Sequence, residues 1–158
     1  MSLAGKRVLI TGGGSGTGAD LARGFAAAGA EVVIAGRRAA ALEAVAARAP
    51  GIRPLVADVT DEAQVAAVFD AAGACDIVIA NAGDALSGSF ARTSLADWNA
   101  MLAVNLTGVF LTFRAGLSRM QGWGRLIAVA STAGLKGYPY VAPYVAAKHG
   151  VVGLVRAV

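Results

Sequence analysis

Tyr144-Val-Ala-Ala-Lys148 sets a phenol and an ammonium four residues apart. On a helix both side chains project from one face. A free phenol titrates at about pH 10, too high for efficient proton exchange at neutral pH. A neighbouring ammonium favours the phenolate, so the pair forms an acid/base couple. The same spacing also arises by accident on helix surfaces, and its meaning depends on the polar residues that accompany it. Ser131 closes one apolar run and Asn81-Ala82-Gly83 closes another. In open parallel sheets, ligands gather at the carboxyl ends of strands.

A second constellation lies near the start of the chain, where Thr11-Gly-Gly-Gly-Ser-Gly-Thr-Gly18 joins an apolar run to a helix-period segment. Such a turn aims backbone N–H groups and the positive end of a helix dipole at an anion. Gly14-Ser-Gly16-Thr-Gly-Ala19 fits the dinucleotide fingerprint in its G-x-G-x-x-A form. Gly12, Ser15, Gly16, Thr17 and Gly18 are therefore candidate cofactor contacts. The Gly-Lys-Ser/Thr ending of a Walker phosphate loop is missing. The competing reading is a turn that merely closes a strand–helix unit. About twenty residues further on, an acid would hold the ribose hydroxyls of NAD. Here the run ends Ala35-Gly36-Arg37-Arg38, with Glu31 at its opposite end. Arg37 and Arg38 suit a 2′-phosphate through several directional donors, so NADP is expected ahead of NAD. The alternative is a pair of solvated charges at a helix start.

These residues need a scaffold that brings run ends together. Lys6–Ile10, Val32–Ala35, Pro54–Val59, Ile77–Ala80 and Leu126–Ala130 read as short buried strands. Between them lie Ala-rich stretches of helical period; Val65, Val68, Phe69 and Ala72 fall at i, i+3, i+4 and i+7. The alternation implies an α/β fold, a Rossmann-like doubly wound parallel sheet of five strands with flanking helices. Residues 94–120 differ from the rest. Ser94 and Asp97 open a capping box, and a helix apolar nearly all round follows. One face is expected on the sheet and the other on a second subunit, making a homo-oligomer; the bland alternative is a covered core helix.

Composition bounds what such a chain can be. Its 158 residues are 56% hydrophobic and only 15% charged, which excludes a disordered or solvating segment. The single Cys75 provides neither an intrachain disulfide framework nor a Cys-rich metal site, and no metal is expected. That cysteine usage fits a cytoplasmic setting. The longest uncharged stretch, Trp98 to Phe113, falls short of the roughly 18 residues of a membrane span. Glycines follow Lys6-Arg7 too soon for a signal-peptide core. The net charge is +4. Residues 98–158 hold Arg114, Arg119, Arg125, Lys136, Lys148 and Arg156 and no acid. These bases are spread singly, without an aromatic platform, so no nucleic-acid partner is expected. A second reading places their acidic partners in sequence beyond Val158.

Thr11-Gly12-x-x-x-Gly16-x-Gly18, Ala57-Asp58-Val59, Asn81-Ala82-Gly83, Asn105, Ser131 and Tyr144-x-x-x-Lys148, in this order, resemble the short-chain dehydrogenase/reductase family over nearly the whole chain. The resemblance implies a ketone/secondary-alcohol oxidoreductase with direct hydride transfer and no metal. Tyr144 would exchange the proton with the substrate oxygen, Lys148 would favour its phenolate and hold the nicotinamide ribose, and Ser131 would orient the carbonyl. Asn105 would anchor a water that links Lys148 to solvent. Asp58, with Val59 beside it, would meet the adenine, and Asn81 with Ala82 and Gly83 would lie along the ribose. Thr17 and Ala80 depart from the family's frequent aliphatic residue and second asparagine. Residues 130–138 resemble relatives acting on 3-oxoacyl thioesters and small hydroxy compounds. The family continues past the Tyr144/Lys148 helix with further strands and a substrate cover, so 1–158 is expected to be one NAD(P)-binding domain incomplete at its C-terminal end. A catalytically silent dinucleotide-binding fragment, or an interaction protein pairing with a full-length relative, are the alternatives.

Overall fold

The computed structural model describes residues 2–158. The apolar runs form β1 (Arg7–Thr11), β2 (Glu31–Gly36), β3 (Ile52–Val56), β4 (Ile77–Ala80) and β5 (Arg125–Ala128). All pair in parallel, in the order β3-β2-β1-β4-β5. The chain builds outward from β1 to β3, then crosses back to place β4 on the other side of β1. Loops leaving β1 and β4 therefore diverge to opposite faces and open a crevice at their carboxyl ends.

Helices α1 (Gly16–Ala27), α2 (Ala39–Ala46), α3 (Glu62–Ala72), α4 (Leu95–Leu102), α5 (Gly108–Leu117) and α6 (Ala142–Ala157) cover the sheet. Along β1 the side chains alternate between faces, as the period of two requires. Val8 and Ile10 pack with Ala19 and Ala22 of α1 and Leu42 and Val45 of α2. Leu9 packs with Val65, Val68 and Phe69 of α3 and Leu111 of α5. The helical spacing read in residues 65–72 thus faces the core, and Asp61 caps α3 by accepting from the Gln64 amide at 3.0 Å.

The third strand lies earlier than the Pro54–Val59 expected from the apolar run. Pro54 is tolerated because β3 is an edge strand with a neighbour on one side only. The Ala57 amide still donates to the Gly36 carbonyl at 2.9 Å. Asp58 then turns the chain, its Oδ1 accepting from the Thr60 amide and hydroxyl at 2.9 and 2.8 Å. At β5, the Val129 amide extends the ladder by donating to the Ala80 carbonyl, while the Val129 carbonyl is taken by Lys148.

The 94–120 segment is not one regular helix. The capping box is present, with Ser94 Oγ accepting from the Asp97 amide at 3.0 Å and donating to its carboxylate at 2.7 Å. A π-helical stretch at Ala103–Thr107 then separates α4 from α5 without ending the helix. Leu95–Leu117 is consequently 23 residues long and apolar enough, by length and composition, to cross a membrane. This corrects the expectation that no segment reaches that length: Asp97 and Arg114 lie inside the helix rather than bounding it. The helix is a core element here, with Val109 and Phe113 buried against Ala80 and Val151. Its burial is not all round either, since Leu95, Phe110 and Leu117 are exposed.

The acid-free last third also finds partners inside the chain. Arg114 pairs with Glu62 at 2.5 Å and Arg119 with Asp70 at 2.6 Å, both on α3. The reading that places the acidic partners beyond Val158 does not hold for those two arginines. Sequence separation concealed pairs that the packing of α5 on α3 brings together.

Candidate functional site

Where β1 ends, Thr11 takes two amides on its hydroxyl, from Asn81 at 3.1 Å and Ala82 at 3.2 Å. Asn81 Nδ2 returns the tie, donating to the Thr11 and Gly12 carbonyls at 3.0 and 3.2 Å. The ends of β1 and β4 are thereby locked together at the crevice. Gly12 has φ +68, and a Cβ there would lie 2.8 Å from Ala82 Cα. A Cβ on Gly18 would run into the Gly12 carbonyl oxygen. The glycines are required because two backbones approach where a side chain would stand.

Next to this junction is a cleft of about 270 Å³. From the glycine loop it is lined by Gly12, Ser15, Thr17 and Gly18; from the end of β2 by Arg37 and Arg38. Asp58 and Val59 line it after β3, and Asn81, Ala82 and Gly83 after β4. The cofactor contacts named from sequence converge here, apart from Tyr144 and Lys148, which do not line this cleft, and Gly16, which has φ +51 and faces a neighbouring hollow beside Arg23 and Arg48. Arg38 Nη2 reaches over to donate to Ser15 Oγ at 3.2 Å. Glu31 stands at the opposite end of β2, paired with Arg7 at 3.2 Å, so it supplies no carboxylate here. The cleft is also lined by Gly14, the first glycine of the fingerprint, and by Ala41, Leu42 and Val104, which sequence reasoning missed. Small and apolar residues carry no chemical signature; Val104 lines the cleft from the π-helical stretch.

The second half of the site is built on α6. Lys148 is buried, and its Nζ donates to the Val129 carbonyl at 2.8 Å and sits 5.6 Å from the Tyr144 ring centre. Burial lowers its pKa from the usual lysine value. Gly83 lies between this ammonium and Asn105: a Cβ there would be 3.8 Å from Lys148 Nζ and 2.8 Å from Asn105 Oδ1. Asn105 is fully buried in the π-helical stretch. Its Nδ2 donates to the Asp84 and Met101 carbonyls, and its Oδ1 accepts from the Asp84 amide at 3.2 Å. One lone pair of that oxygen is left over. Ser131 Oγ accepts from the Ala133 amide at 3.1 Å, which leaves its O–H free to donate. Among the described residues no hydrogen bond joins Ser131 to Tyr144. His149 binds the Val145 carbonyl on the exposed side of α6 and takes no part.

The sequence model described as short chain dehydrogenase matches residues 6–158. This chain belongs to the short-chain dehydrogenase/reductase family. It is 36% identical to the D-beta-hydroxybutyrate dehydrogenase of Rhizobium meliloti, over 97% of this chain and 64% of that protein. It is 38% identical to the NADP-dependent (R)-specific alcohol dehydrogenase of Lentilactobacillus kefiri, over 94% of this chain and 63% of that one. A short-chain dehydrogenase/reductase from Burkholderia phymatum, solved in complex with NAD, superimposes with a TM-score of 0.94 at 32% identity, covering 99% of this chain and 60% of its own. The chain thus spans a little under two thirds of the length of these family members. Both NAD and NADP occur among these relatives.

A nicotinamide dinucleotide fits the cleft on its own terms. Gly12 and Gly18 keep Cβ atoms out of the loop, the N-terminus of the twelve-residue α1 stands behind it, and two arginines stand at one end. Gly12, Ser15, Thr17 and Gly18 would face the pyrophosphate and Arg37 and Arg38 the adenosine end.

Proposed function

We propose that this chain carries the cofactor cradle and catalytic residues of an NADP(H)-dependent oxidoreductase that interconverts a ketone and a secondary alcohol. The observation that carries the reading is an adjacency at Gly83. The cleft lined by Arg37, Arg38 and the Asn81-Ala82-Gly83 turn includes Gly83, where a Cβ would lie 3.8 Å from Lys148 Nζ, itself 5.6 Å from the Tyr144 ring centre. When bound, the reduced nicotinamide supplies the hydride that the carbonyl carbon accepts. Tyr144 gives its hydroxyl proton to the carbonyl oxygen, so ketone, hydride and proton sum to the alcohol. Lys148, a cation beside the Tyr144 ring, favours the phenolate left behind and stands ready to return a proton. Ser131 donates its free O–H to the same oxygen, and the spare Asn105 lone pair holds the water that resupplies Lys148.

Arg37 and Arg38, with no carboxylate beside them at the end of β2, support NADP(H) over NAD(H). The names of the two relatives support a hydroxy-compound/ketone pair, of which 3-oxoacyl derivatives are one class. A cytoplasmic setting is supported by the single cysteine of the chain, the buried Cys75. Self-association through 94–120 is supported by the exposed Leu95, Phe110 and Leu117 on that helix.

The test is a fluorescence titration of the purified chain with NADPH and NADH, followed by absorbance assays on a panel of ketones. Tighter NADPH binding with ketone-dependent oxidation is expected. Binding without turnover would reassign the chain as a silent dinucleotide-binding module, and no binding at micromolar NADPH would defeat both readings.

A further inference from the structure

The turn that carries Asp58 into the cleft wall is tied to the helix that follows it by one side chain, Gln64. Asp61 caps α3 and Gln64 stands three residues on, in its first turn. In a capping box of this spacing, the later side chain reaches back to the amide of the capping residue. Here the Asp61 amide is already taken, donating to the Asp58 carbonyl at 3.2 Å. Gln64 Oε1 instead accepts from the Asp58 amide at 2.9 Å, and Gln64 Nε2 donates to Asp61 Oδ2 at 2.9 Å. The cap itself needs only the Gln64 backbone amide, which donates to Asp61 Oδ1 at 3.0 Å and which every residue except proline would supply. The side chain is the part that capping does not require.

The partners fix the side-chain amide one way round. The Asp58 N–H can only donate. The Asp61 carboxyl, its pKa lowered by the Gln64 backbone amide and then by the Gln64 side chain, stays ionised and can only accept. Glutamine supplies both roles at this reach. The clamp ends beside an unspent acceptor: Asp58 Oδ1 is occupied by the Thr60 amide and hydroxyl, whereas Asp58 Oδ2 has no hydrogen-bond partner among the described residues. With its backbone held by Gln64 and one oxygen held by Thr60, Asp58 keeps that second oxygen as a fixed acceptor. A fixed carboxylate oxygen suits an amino group on a base and leaves a carbonyl oxygen without a donor. We propose that Gln64 is a positioning residue for base selection, holding the Asp58 turn so that the cofactor's 6-aminopurine is preferred over a 6-oxopurine. This rests on the cofactor reading above, in which Asp58 meets the adenine.

The experiment measures dissociation constants for NADPH and for reduced nicotinamide hypoxanthine dinucleotide phosphate, its 6-oxopurine analogue, by nicotinamide fluorescence. The chains are wild type, Gln64→Met, Asp58→Ala and the double variant, with thermal midpoints taken on the same samples. Methionine keeps the length and helix propensity of glutamine and removes both side-chain bonds. Wild type is expected to favour NADPH about tenfold, the scale of a hydrogen bond to a charged group. Gln64→Met should lower that ratio about fivefold, the scale of one ordinary hydrogen bond, by weakening NADPH and sparing the analogue. In the Asp58→Ala background Gln64→Met should change the ratio no further, as expected of a residue that acts through another. An unchanged ratio in Gln64→Met, whatever its thermal midpoint, overturns the proposal. Equal weakening of both nucleotides, or an undiminished effect in the Asp58→Ala background, overturns it too. A wild-type chain that binds both nucleotides equally overturns it while leaving the cofactor reading intact. A wild-type chain that binds neither overturns the cofactor reading itself.

Discussion

Two glycines in α1 give opposite answers to the same substitution. Gly18 and Gly24 lie six residues apart in one helix, and helix propensity alone favours alanine at each by about 1 kcal/mol. At Gly24 a Cβ meets nothing within 4 Å, so Gly24→Ala should stabilise by about 0.5–1 kcal/mol. At Gly18 the new methyl would overlap the Gly12 carbonyl oxygen and approach Asn81 Nδ2 to 2.5 Å. Relief requires movement of backbone, or of the Asn81 amide that bonds the Thr11 and Gly12 carbonyls. Overpacking of this kind costs about 1–3 kcal/mol, and each hydrogen bond lost adds about 1 kcal/mol. With the propensity gain subtracted, Gly18→Ala should destabilise by about 2–3 kcal/mol. For a chain of this size, about 2–4 °C of Tm per kcal/mol gives a fall of roughly 5–10 °C. Thermal melts followed by circular dichroism read the stability, and NADPH fluorescence titration reads the cradle. Affinity should fall at least about tenfold for Gly18→Ala, because a shifted loop moves several phosphate donors at once. A Gly18→Ala chain as stable as Gly24→Ala, with wild-type NADPH affinity, would refute the close-approach argument.

The other expectations concern the polar residues of the site. Arg38→Ala should raise the NADPH dissociation constant about tenfold or more, on the scale of a charge-assisted phosphate contact, and leave NADH within about twofold; equal losses for both would remove Arg38 from 2′-phosphate recognition. Tyr144→Phe should abolish ketone turnover while NADPH still binds, and retained turnover would displace Tyr144 as the proton donor. Lys148→Met should lose turnover and also change the pH dependence of stability. Burial lowers the Lys148 pKa in the folded chain, so between that value and the unfolded value of about 10.4 the unfolded state binds more protons and wild-type stability rises with pH. Below that interval the buried ammonium carries its full cost. The difference in urea midpoint between wild type and Lys148→Met should therefore move in favour of wild type as pH rises from 7 towards 10. Parallel profiles would mean that Lys148 is not held against desolvation.

The positions of the site were readable wherever chemistry is written in local spacing. Val65, Val68, Phe69 and Ala72 declared the buried face of α3, Ser94 and Asp97 declared a helix start, and the glycine run after an apolar strand declared an anion cradle. Tyr144 and Lys148 needed only a helix to share a face. What the spacing left open were contacts between residues far apart in the chain. Gly18 reads as a phosphate-loop glycine, yet its indispensable neighbour is the Asn81 side chain arriving from β4. Asn105 is named only through the family resemblance, and the wider π-helical turn that seats it, and from which Val104 lines the cleft, follows no periodic signal.

The sequence by itself determined the strand–helix alternation, the parallel sheet and the identity of the polar groups, because these follow from periodicity and side-chain chemistry within a few residues. Only the tertiary structure decided the environment of those groups. It buried Lys148 and gave it the Val129 carbonyl, paired Arg114 and Arg119 with acids on α3, and forced Tyr140 into a left-handed turn under the Gly88 amide. Burial, counter-charge and backbone strain are sums over neighbours from several strands and helices, and the packing of the sheet against its two helical layers is what chooses those neighbours.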